Sequence, residues 1–259
     1  MKNKKVLIGT AIVIPTVLSL LFVNSLYGNP VSNLLARQTA GRYINEKYSR
    51  LDLNIENVYY NFKLGEYGAF VKSGTSEDTA FSIYFDSFGN VTGDDYDTEV
   101  ANNFTTWRRL SETLRIKATE MIGSKLDYDF AFASIRFVED GHGNADLLKL
   151  QRDMTLDIHD PPLPLEAYVD IYTDNMSYNK IAEVAKAVEA TLKAQNVPIS
   201  RYSVRLIPLS DKPEHDNRAV SWANAISVDS FPAGRMSEEN LPQAMAQFEK
   251  DRIASLDKK

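Results

Sequence analysis

The sequence predicts an α+β protein in three parts: an N-terminal transmembrane helix, a domain of one helix followed by an antiparallel meander, and a second domain built as a mixed α/β sandwich. Three observations support this fold class. A long uncharged run begins near the N-terminus, apolar residues alternate in short stretches beside helical stripes, and the composition, 44% apolar and 25% charged, is that of a globular protein. The predicted parts are residues 1–28, 30–97 and 98–256.

The transmembrane helix is predicted from Val6 to Tyr27, which is 22 residues without a charge. About 20 residues span a bilayer core, and a proline such as Pro15 is tolerated there. The lysines that precede the segment keep the N-terminus in the cytoplasm. We therefore expect a single-pass protein of the cell membrane that contacts the lipid bilayer through this helix, with the bulk of the chain extracellular. The anchor residues are Lys4, Lys5, Val6, Pro15 and Tyr27.

A cleaved signal peptide is the alternative interpretation of this N-terminus, because it has the same basic start. Its apolar core normally covers about 7–15 residues and ends at an Ala-x-Ala site. The core here is longer, and Asn24 to Gly28 lack that pattern. The sequence therefore favours a retained anchor, and both interpretations place residues 29–259 outside the cytoplasm.

Charge and cysteine content exclude several classes of protein. The net charge is −6, and it is −9 without the three N-terminal lysines. This acidic balance argues against binding of nucleic acid and against polybasic docking on anionic lipid. The absence of cysteine excludes disulfides, cysteine zinc sites and cysteine nucleophiles.

The second part begins with a helix predicted from Val31 to Tyr48, whose apolar stripe has helical spacing. Three alternating runs follow as strands, separated by turns that contain Gly65 and Gly74, and a short fourth strand from Val91 to Tyr96 fits the pattern. The unit ends near Asp97. The residues that share faces are Leu35, Ala36, Thr39, Ala40, Tyr43 and Ile44 on the helix, and Val58, Tyr60, Phe62, Tyr67, Ala69, Val71, Phe81, Ile83 and Phe85 on the strands.

The third part begins after a boundary that we place in the polar run from Gly93 to Glu99. It alternates helices and strands, with a break at Pro161 to Pro164. Ser177 and Ser237 are predicted helix caps. The predicted helices are 99–124, 177–195 and 237–255, the strands are 128–138, 148–158, 168–173, 202–206 and 220–228, and residues 211–218 are a loop.

Two groups of residues are candidates for metal binding. His142, His159 and His215 each have acidic neighbours, and imidazole with carboxylate suits zinc. They lie in separate loops, however, and no HExxH motif joins them. The carboxylates from Asp94 to Glu99 suit calcium, but their spacing does not match an EF-hand loop. We interpret the histidines as turn residues and the acidic run as a solvated linker, and we expect no bound metal.

One sequence pattern suggests catalysis. Ser177 and Lys180 form an SxxK at a predicted helix start, as in penicillin-interacting enzymes, and Ser255 with Lys258 forms another. No KTG accompanies them, and the composition predicts about one such match by chance. Motifs for serine hydrolases, phosphate loops, aspartic proteases and dinucleotide binding are absent from the sequence.

Several stretches together resemble a known family. They are Asn29 to Val31, Ala40 to Tyr48 (AGRYINEKY), Leu53 to Phe62 (LNIENVYYNF), Ser76 to Thr79, Phe81 to Tyr84, Gly93 to Tyr96, Tyr168 to Ser177 (YVDIYTDNMS) and Arg201 to Pro208 (RYSVRLIP). This pattern resembles the YfjL-like proteins, and the resemblance implies a membrane-anchored protein of Gram-positive bacteria with unknown function. It supplies no active-site residues. The order of elements in residues 30–97 is also similar to cystatin-like and PepSY-like modules.

These observations favour a non-enzymatic, membrane-anchored extracytoplasmic protein that binds an envelope protein or a wall component. The alternatives are an exported hydrolase without a recognisable motif and a PepSY-like regulatory or inhibitory module. The sequence assigns no catalytic, cofactor-binding or metal-binding residue, and we expect no cofactor.

Overall fold

The computed structural model describes residues 26–139, 146–213 and 221–256. The chain divides into two compact units: Met1–Thr106 with Gln151–Asp153, and Trp107–Leu150 with Met154–Lys259. Both units are α+β, and each contains a four-stranded sheet. We refer to them as the N-terminal and the C-terminal unit.

The N-terminal unit packs one helix on an antiparallel sheet. Helix α1 (Pro30–Lys47) begins with Pro at its first position, and the side chain of Asn29 accepts a hydrogen bond from the Val31 N–H at 2.8 Å, which caps it. Strands β1 (Leu53–Asn61), β2 (Glu66–Ser73), β3 (Ala80–Phe85) and β4 (Val91–Asp94) follow in that order across the sheet. Ala36, Ala40 and Ile44 of α1 join a core that contains Ala69, Val71, Phe81, Ile83 and Phe85. The helix-plus-meander prediction is confirmed.

The C-terminal unit contains a mixed sheet in the order β5 (Phe130–Phe137), β6 (Leu165–Tyr172), β7 (Ile199–Ile207), β8 (Ile226–Pro232). Strands β6 and β7 are parallel and are joined through helix α3 (Tyr178–Ala194), whereas β5 and β8 pair antiparallel to them. A parallel pair needs such a crossover, usually a helix. Helix α4 (Leu241–Leu256) and the part of helix α2 (Phe104–Ala118) that follows Thr106 complete the unit.

The core of the C-terminal unit lies on one face of this sheet. Alternate residues of the strands contribute to it, such as Ile135, Val169 and Val204, and they pack with apolar residues of α3 and α4 such as Val184 and Met245. Because side chains alternate along a strand, the intervening residues point to the opposite face. That opposite face carries the candidate site.

The predicted fold class needs one correction, because the transmembrane helix is not among the elements observed. Across the described residues, no helix combines the length and the apolar character that crossing a membrane requires. Helix α1, for example, carries four charged residues among its 18. The anchor residues Lys4, Lys5, Val6 and Pro15 lie outside the described residues, and Tyr27 lies inside them with 79% of its surface exposed.

Three smaller predictions are also wrong. Residues 148–158 form no strand, because they have no strand partner; Leu147–Lys149 is a short 3-10 turn instead. The helix predicted over 99–124 is interrupted at Asn103, whose φ of 57° is left-handed, so α2 begins only at Phe104. The last helix begins at Leu241 rather than after Ser237.

Candidate functional site

A cleft of about 490 Å³ opens on the sheet face opposite the core of the C-terminal unit. This volume falls within the range of small-molecule sites, about 300–1,000 Å³. The strand pairing assembles the cleft, because Phe132 pairs with Asp170, Ser134 pairs with Tyr168, and Asp170 pairs with Arg205 across neighbouring strands. Its lining residues are Ala131, Phe132, Ser134, Arg136, Tyr168, Asp170 and Trp222.

Asp170 is the most unusual residue of the cleft, because its carboxylate is buried but only partly bonded. Its side chain is 4% exposed. Oδ2 lies 3.4 Å from Nη1 of Arg205, whereas Oδ1 has no hydrogen-bond partner among the described residues. Burial raises the pKa of Asp170, and the nearby positive charge of Arg205 and a hydrogen bond with the Tyr168 side chain oppose that shift. An acceptor left unsatisfied in this way costs about 1–3 kcal/mol, and Oδ1 is itself buried.

Tyr168 forms the floor beside Asp170 and is held from several sides. Arg205 donates a hydrogen bond to its hydroxyl oxygen. The guanidinium carbon of Arg136 lies 4.8 Å from the centre of the Tyr168 ring, and the edge of Phe132 packs on the ring at 5.8 Å between centroids. Burial and the charge of Asp170 raise the pKa of Tyr168, so this phenol stays neutral near pH 7.

Glu166 lies under Arg136 and fixes its orientation. Its Oε2 accepts a hydrogen bond from Nε of Arg136 at 3.0 Å. Its Oε1 accepts hydrogen bonds from the hydroxyls of Ser203 and Ser230. Because both oxygens are occupied, Glu166 is a structural partner, whereas Arg136 lines the cleft with its side chain 48% exposed.

Trp222 forms the outer wall and precedes strand β8. Its side chain is 59% exposed, and the guanidinium carbon of Arg205 lies 4.7 Å from the ring centroid. Nη2 of Arg205 also lies 3.9 Å from Asp229, which pairs with Arg252 at 2.9 Å. These contacts hold Arg205, whose guanidinium packs against the indole of Trp222.

Two carboxylates of the acidic run from Asp94 to Glu99 are engaged in packing rather than solvated as we expected, whereas Asp97 of the same run is exposed. The side chain of Asp94 is 7% exposed and accepts hydrogen bonds from Tyr43 at 2.6 Å, Lys47 at 2.8 Å and Tyr48 at 2.9 Å. Asp95 accepts a hydrogen bond from the Tyr84 hydroxyl. The two carboxylates are therefore engaged by tyrosines and a lysine.

The histidines form no metal site within the described residues, where no group of three or more potential ligands comes together. His159 is exposed, with Nδ1 at 3.2 Å from the backbone oxygen of Asn196. His142 and His215 lie outside the described residues. The expectation that the protein needs no metal therefore stays a prediction.

The two serines of the SxxK patterns have structural roles. Ser177 caps α3 by accepting a hydrogen bond from the Lys180 N–H at 3.2 Å, as predicted. The hydroxyl of Ser255 donates to the backbone oxygen of Arg252 at 2.6 Å in the last turn of α4.

Sequence reasoning missed the cleft altogether. Tyr168 and Asp170 alternate with apolar residues in a strand, and this pattern is typical of an ordinary solvated sheet face. The only signal was that polar and aromatic residues share that face in three strands: Phe132, Ser134 and Arg136, then Glu166, Tyr168 and Asp170, then Ser203 and Arg205.

Comparisons with known proteins agree with the resemblance noted in the sequence. A family model described as "YfjL-like, N-terminal domain" matches residues 3–98, and one described as "YfjL-like C-terminal domain" matches residues 113–246. No curated protein and no solved structure matches the chain. The lining residues of the cleft, from Ala131 to Trp222, fall within the second match.

Proposed function

The chain belongs to the YfjL-like family, and we propose that it is a non-enzymatic binding protein whose ligand enters the cleft of the C-terminal unit. One observation carries this proposal: an aromatic-walled cleft of about 490 Å³ is lined by the buried carboxylate of Asp170. A ligand that enters the cleft buries the exposed rings of Trp222 and Phe132, which is favourable through the hydrophobic effect. The partners that we expect, an envelope protein or a wall component, both carry hydroxyl or amide donors.

The shape of the cleft supports recognition of a small group. Its walls are aromatic at Phe132, Tyr168 and Trp222, and its polar lining includes Asp170 and Arg136. Apolar walls with a few fixed polar groups are typical of ligand sites, because the walls supply burial and the polar groups supply orientation. Arg205 already contacts Tyr168 and Trp222 in the free protein, and these contacts reduce the conformational entropy that the two side chains lose when a ligand binds.

A hydrolase is the second candidate, and the raised pKa of Asp170 is the observation that favours it. A carboxyl group with a raised pKa suits general acid catalysis. Hydrolysis with two carboxylates also needs a second group that is free to act as base or nucleophile. Glu166 is engaged by Arg136, Ser203 and Ser230, and Asp229 is engaged by Arg252. The arrangement therefore supports binding better than hydrolysis.

Ligand-detected NMR on the full chain tests the proposed function. The probes are a panel of small saccharides, amines, carboxylates and amides, each at millimolar concentration. We expect at least one probe to receive saturation from the protein, and we expect Asp170→Ala and Phe132→Ser to abolish the effect. The control is Phe88→Ser, which removes an aromatic side chain that is 81% exposed in the N-terminal unit. Binding of no probe, or equal binding by both cleft variants, would contradict the proposal.

A further inference from the structure

We propose that one end of the N-terminal unit lies on the surface of a lipid bilayer and inserts exposed apolar side chains at the level of the headgroups. This end, which we call the apolar end, consists of the start of α1, the turn between β1 and β2, and the turn between β3 and β4. The inference concerns a surface contact, requires no membrane-spanning helix and is independent of the cleft in the C-terminal unit. The exposed apolar residues of this end are Tyr27, Val31, Leu34, Phe62, Leu64 and Phe88.

The topology of the sheet brings the two turns to the same end. The strands β1 to β4 are antiparallel and joined in chain order, so the first and third turns lie at one end and the second turn lies at the other. The last paired residues of β1 and β2 are Asn61 and Glu66, and the turn 62–65 extends beyond them. Phe62 and Leu64 therefore lie at the same end of the unit as Phe88.

The start of α1 contacts both strand connections. The hydroxyl of Ser32 donates a hydrogen bond to the backbone oxygen of Ser87, in the turn between β3 and β4, at 2.7 Å. The N–H of Asn29 donates to the hydroxyl oxygen of Tyr67, which pairs with Tyr60 next to the turn between β1 and β2. These contacts place the exposed apolar residues of the helix at the same end as those of the two turns.

The turns of this end carry large apolar side chains where polar residues are usual. Phe88 is 81% exposed, and Leu64 is 70% exposed. Asp86 accepts hydrogen bonds from the N–H groups of Phe88 at 2.9 Å and of Asn90 at 2.8 Å, which hold the turn around Phe88. Single exposed apolar residues occur on any protein, but a group drawn from three elements at one end is typical of an interaction surface.

The sequence that precedes the apolar end favours a bilayer as the occupant. The described residues begin at Leu26, within this end, and residues 6–25 directly before it carry no charge. A partner that covers the apolar end must therefore also accept an adjoining, largely apolar stretch of chain. The interface of a bilayer is continuous and accepts both, whereas a protein partner needs a complementary surface for each.

The residue types of the apolar end also fit a bilayer interface. Tyr27, Phe62 and Phe88 supply aromatic rings, and rings of this kind are favoured at the level of the headgroups. Lys63 is exposed between Phe62 and Leu64, and a lysine can keep its charge at the headgroups while its neighbours enter the apolar region. Because the net charge of the chain is −6, we expect burial of apolar surface in zwitterionic lipid to drive the contact, not attraction to anionic lipid.

Site-specific fluorescence of the full chain tests the inference. The sequence has no cysteine, so each introduced cysteine is the only labelling site for the environment-sensitive dye nitrobenzoxadiazole. The labelled variants are Leu64→Cys and Phe88→Cys, and the control is Ser49→Cys, an exposed position just after the other end of α1. The 18 residues of this helix cover about 27 Å. With vesicles of phosphatidylcholine, we expect the emission of both labels at the apolar end to shift to shorter wavelength and to be quenched by nitroxide-labelled lipid, and the control to stay unchanged.

A charged variant connects this signal to the apolar side chains. We expect Phe62→Asp combined with Leu64→Asp to abolish the shift of the label at Phe88→Cys, because burying an apolar side chain is favourable and burying an aspartate is not. The matched control is Thr75→Asp, which adds the same charge at an exposed position between β2 and β3, at the other end of the sheet. Circular dichroism verifies that each variant folds.

The possible results distinguish a bilayer from the other occupants. A shift at the two labels of the apolar end, absent at Ser49→Cys and abolished by the two aspartates, supports the inference. A short-wavelength emission that is present without vesicles and does not change when they are added indicates cover by residues 6–25 and overturns it. A shift without vesicles that grows with protein concentration indicates a second copy and overturns it as well. No shift, equal shifts at all three positions, a shift that the aspartates leave intact, or a shift only with vesicles of anionic phosphatidylglycerol also overturns it.

Discussion

Replacing Asp94 by Asn is expected to destabilise the N-terminal unit strongly. The substitution keeps the size of the side chain and removes its negative charge. Asp94 accepts hydrogen bonds from Tyr43, Lys47 and Tyr48, and Oδ1 also accepts one from the Tyr96 N–H at 3.1 Å. An amide offers one acceptor oxygen where the carboxylate offers two, and its NH₂ group would face other donors.

The magnitude follows from the burial of the partners. Removing one member of a buried ion pair costs about 3–5 kcal/mol, because the other charge is left without a partner. Lys47 is 51% exposed, so water replaces part of the lost interaction and its share is small. The tyrosine hydroxyls are less accessible and lose a charged acceptor. We expect a loss of about 2–3 kcal/mol, which is a large part of the 5–15 kcal/mol that is typical of a folded protein.

Hydrogen exchange with mass spectrometry measures this loss locally in the full chain. Peptides from α1, β2 and β3 should lose protection by about thirty- to hundredfold, since each 1.4 kcal/mol corresponds to a factor of ten. Peptides from β6 and β7 serve as an internal reference, and Asp97→Asn, an exposed carboxylate of the same run, is the control. If protection in β2 and β3 changes by less than a factor of about three, the stabilising role of Asp94 is refuted.

The pH dependence of the same variant provides a second check. In the unaltered protein, burial raises the pKa of Asp94, but the hydrogen bonds from Lys47 and the tyrosines outweigh burial and hold that pKa below its ordinary value. A carboxyl group with a lowered pKa contributes stability above its unfolded-state pKa, and that contribution is lost as the pH falls through the folded-state value. The difference between Asp94→Asn and the unaltered protein should therefore shrink below about pH 4.

Three other predictions concern stability. Asp153→Ala should lower the free energy of unfolding of the N-terminal unit by about 2 kcal/mol. The N–H of the buried Asp78 loses its acceptor at 3.0 Å, and alanine is strained at a φ of 58°. Hydrogen exchange measures this loss, with Arg152→Ala at an exposed neighbouring position as the control. Asp170→Asn should raise the melting temperature of the protein at pH 7 but not below about pH 4. The reason is that a carboxyl group with a raised pKa destabilises the fold only once it is ionised. An unchanged or lower melting temperature of the variant at pH 7 would contradict this prediction. Burial raises the pKa of Tyr48 to about 12, so the free energy of unfolding should fall as the pH rises from about 10 to about 12, with a smaller slope in Tyr48→Phe during denaturant titrations.

Local patterns predicted the elements whose partners are adjacent in the sequence. Phe81, Ile83 and Phe85 alternate in the sequence and are all buried in β3, and Ala36 and Ala40 lie one turn apart on the buried face of α1. Each strand of the meander pairs with the next strand of the chain, so a turn and an alternating pattern were enough to predict the pairing.

The pattern failed where alternation was not accompanied by a strand partner. Residues 148–158 alternate, and both Leu150 and Ile158 are buried, yet Asp153 between them has a φ of 58° and belongs to the N-terminal unit. Apolar periodicity records which side chains are buried, whereas a strand also needs a neighbour that supplies hydrogen bonds. The interpretation of Asp94 as part of a solvated linker was wrong for a related reason, because its side-chain donors come from α1 and from Tyr48 directly after it, far away in sequence.

The cleft could not be predicted because its properties arise from pairing between distant strands. Asp170 and Arg205 become neighbours only when β6 and β7 align in parallel, and Phe132 joins them only through the antiparallel pairing of β5. In the sequence, Asp170 is one polar residue of an alternating strand, and such residues are normally solvated. Its neighbours remove it from water without supplying a donor to Oδ1. Folding alone gains nothing from an unsatisfied buried acceptor, so Asp170 is an exception to the rule that buried polar groups are hydrogen-bonded.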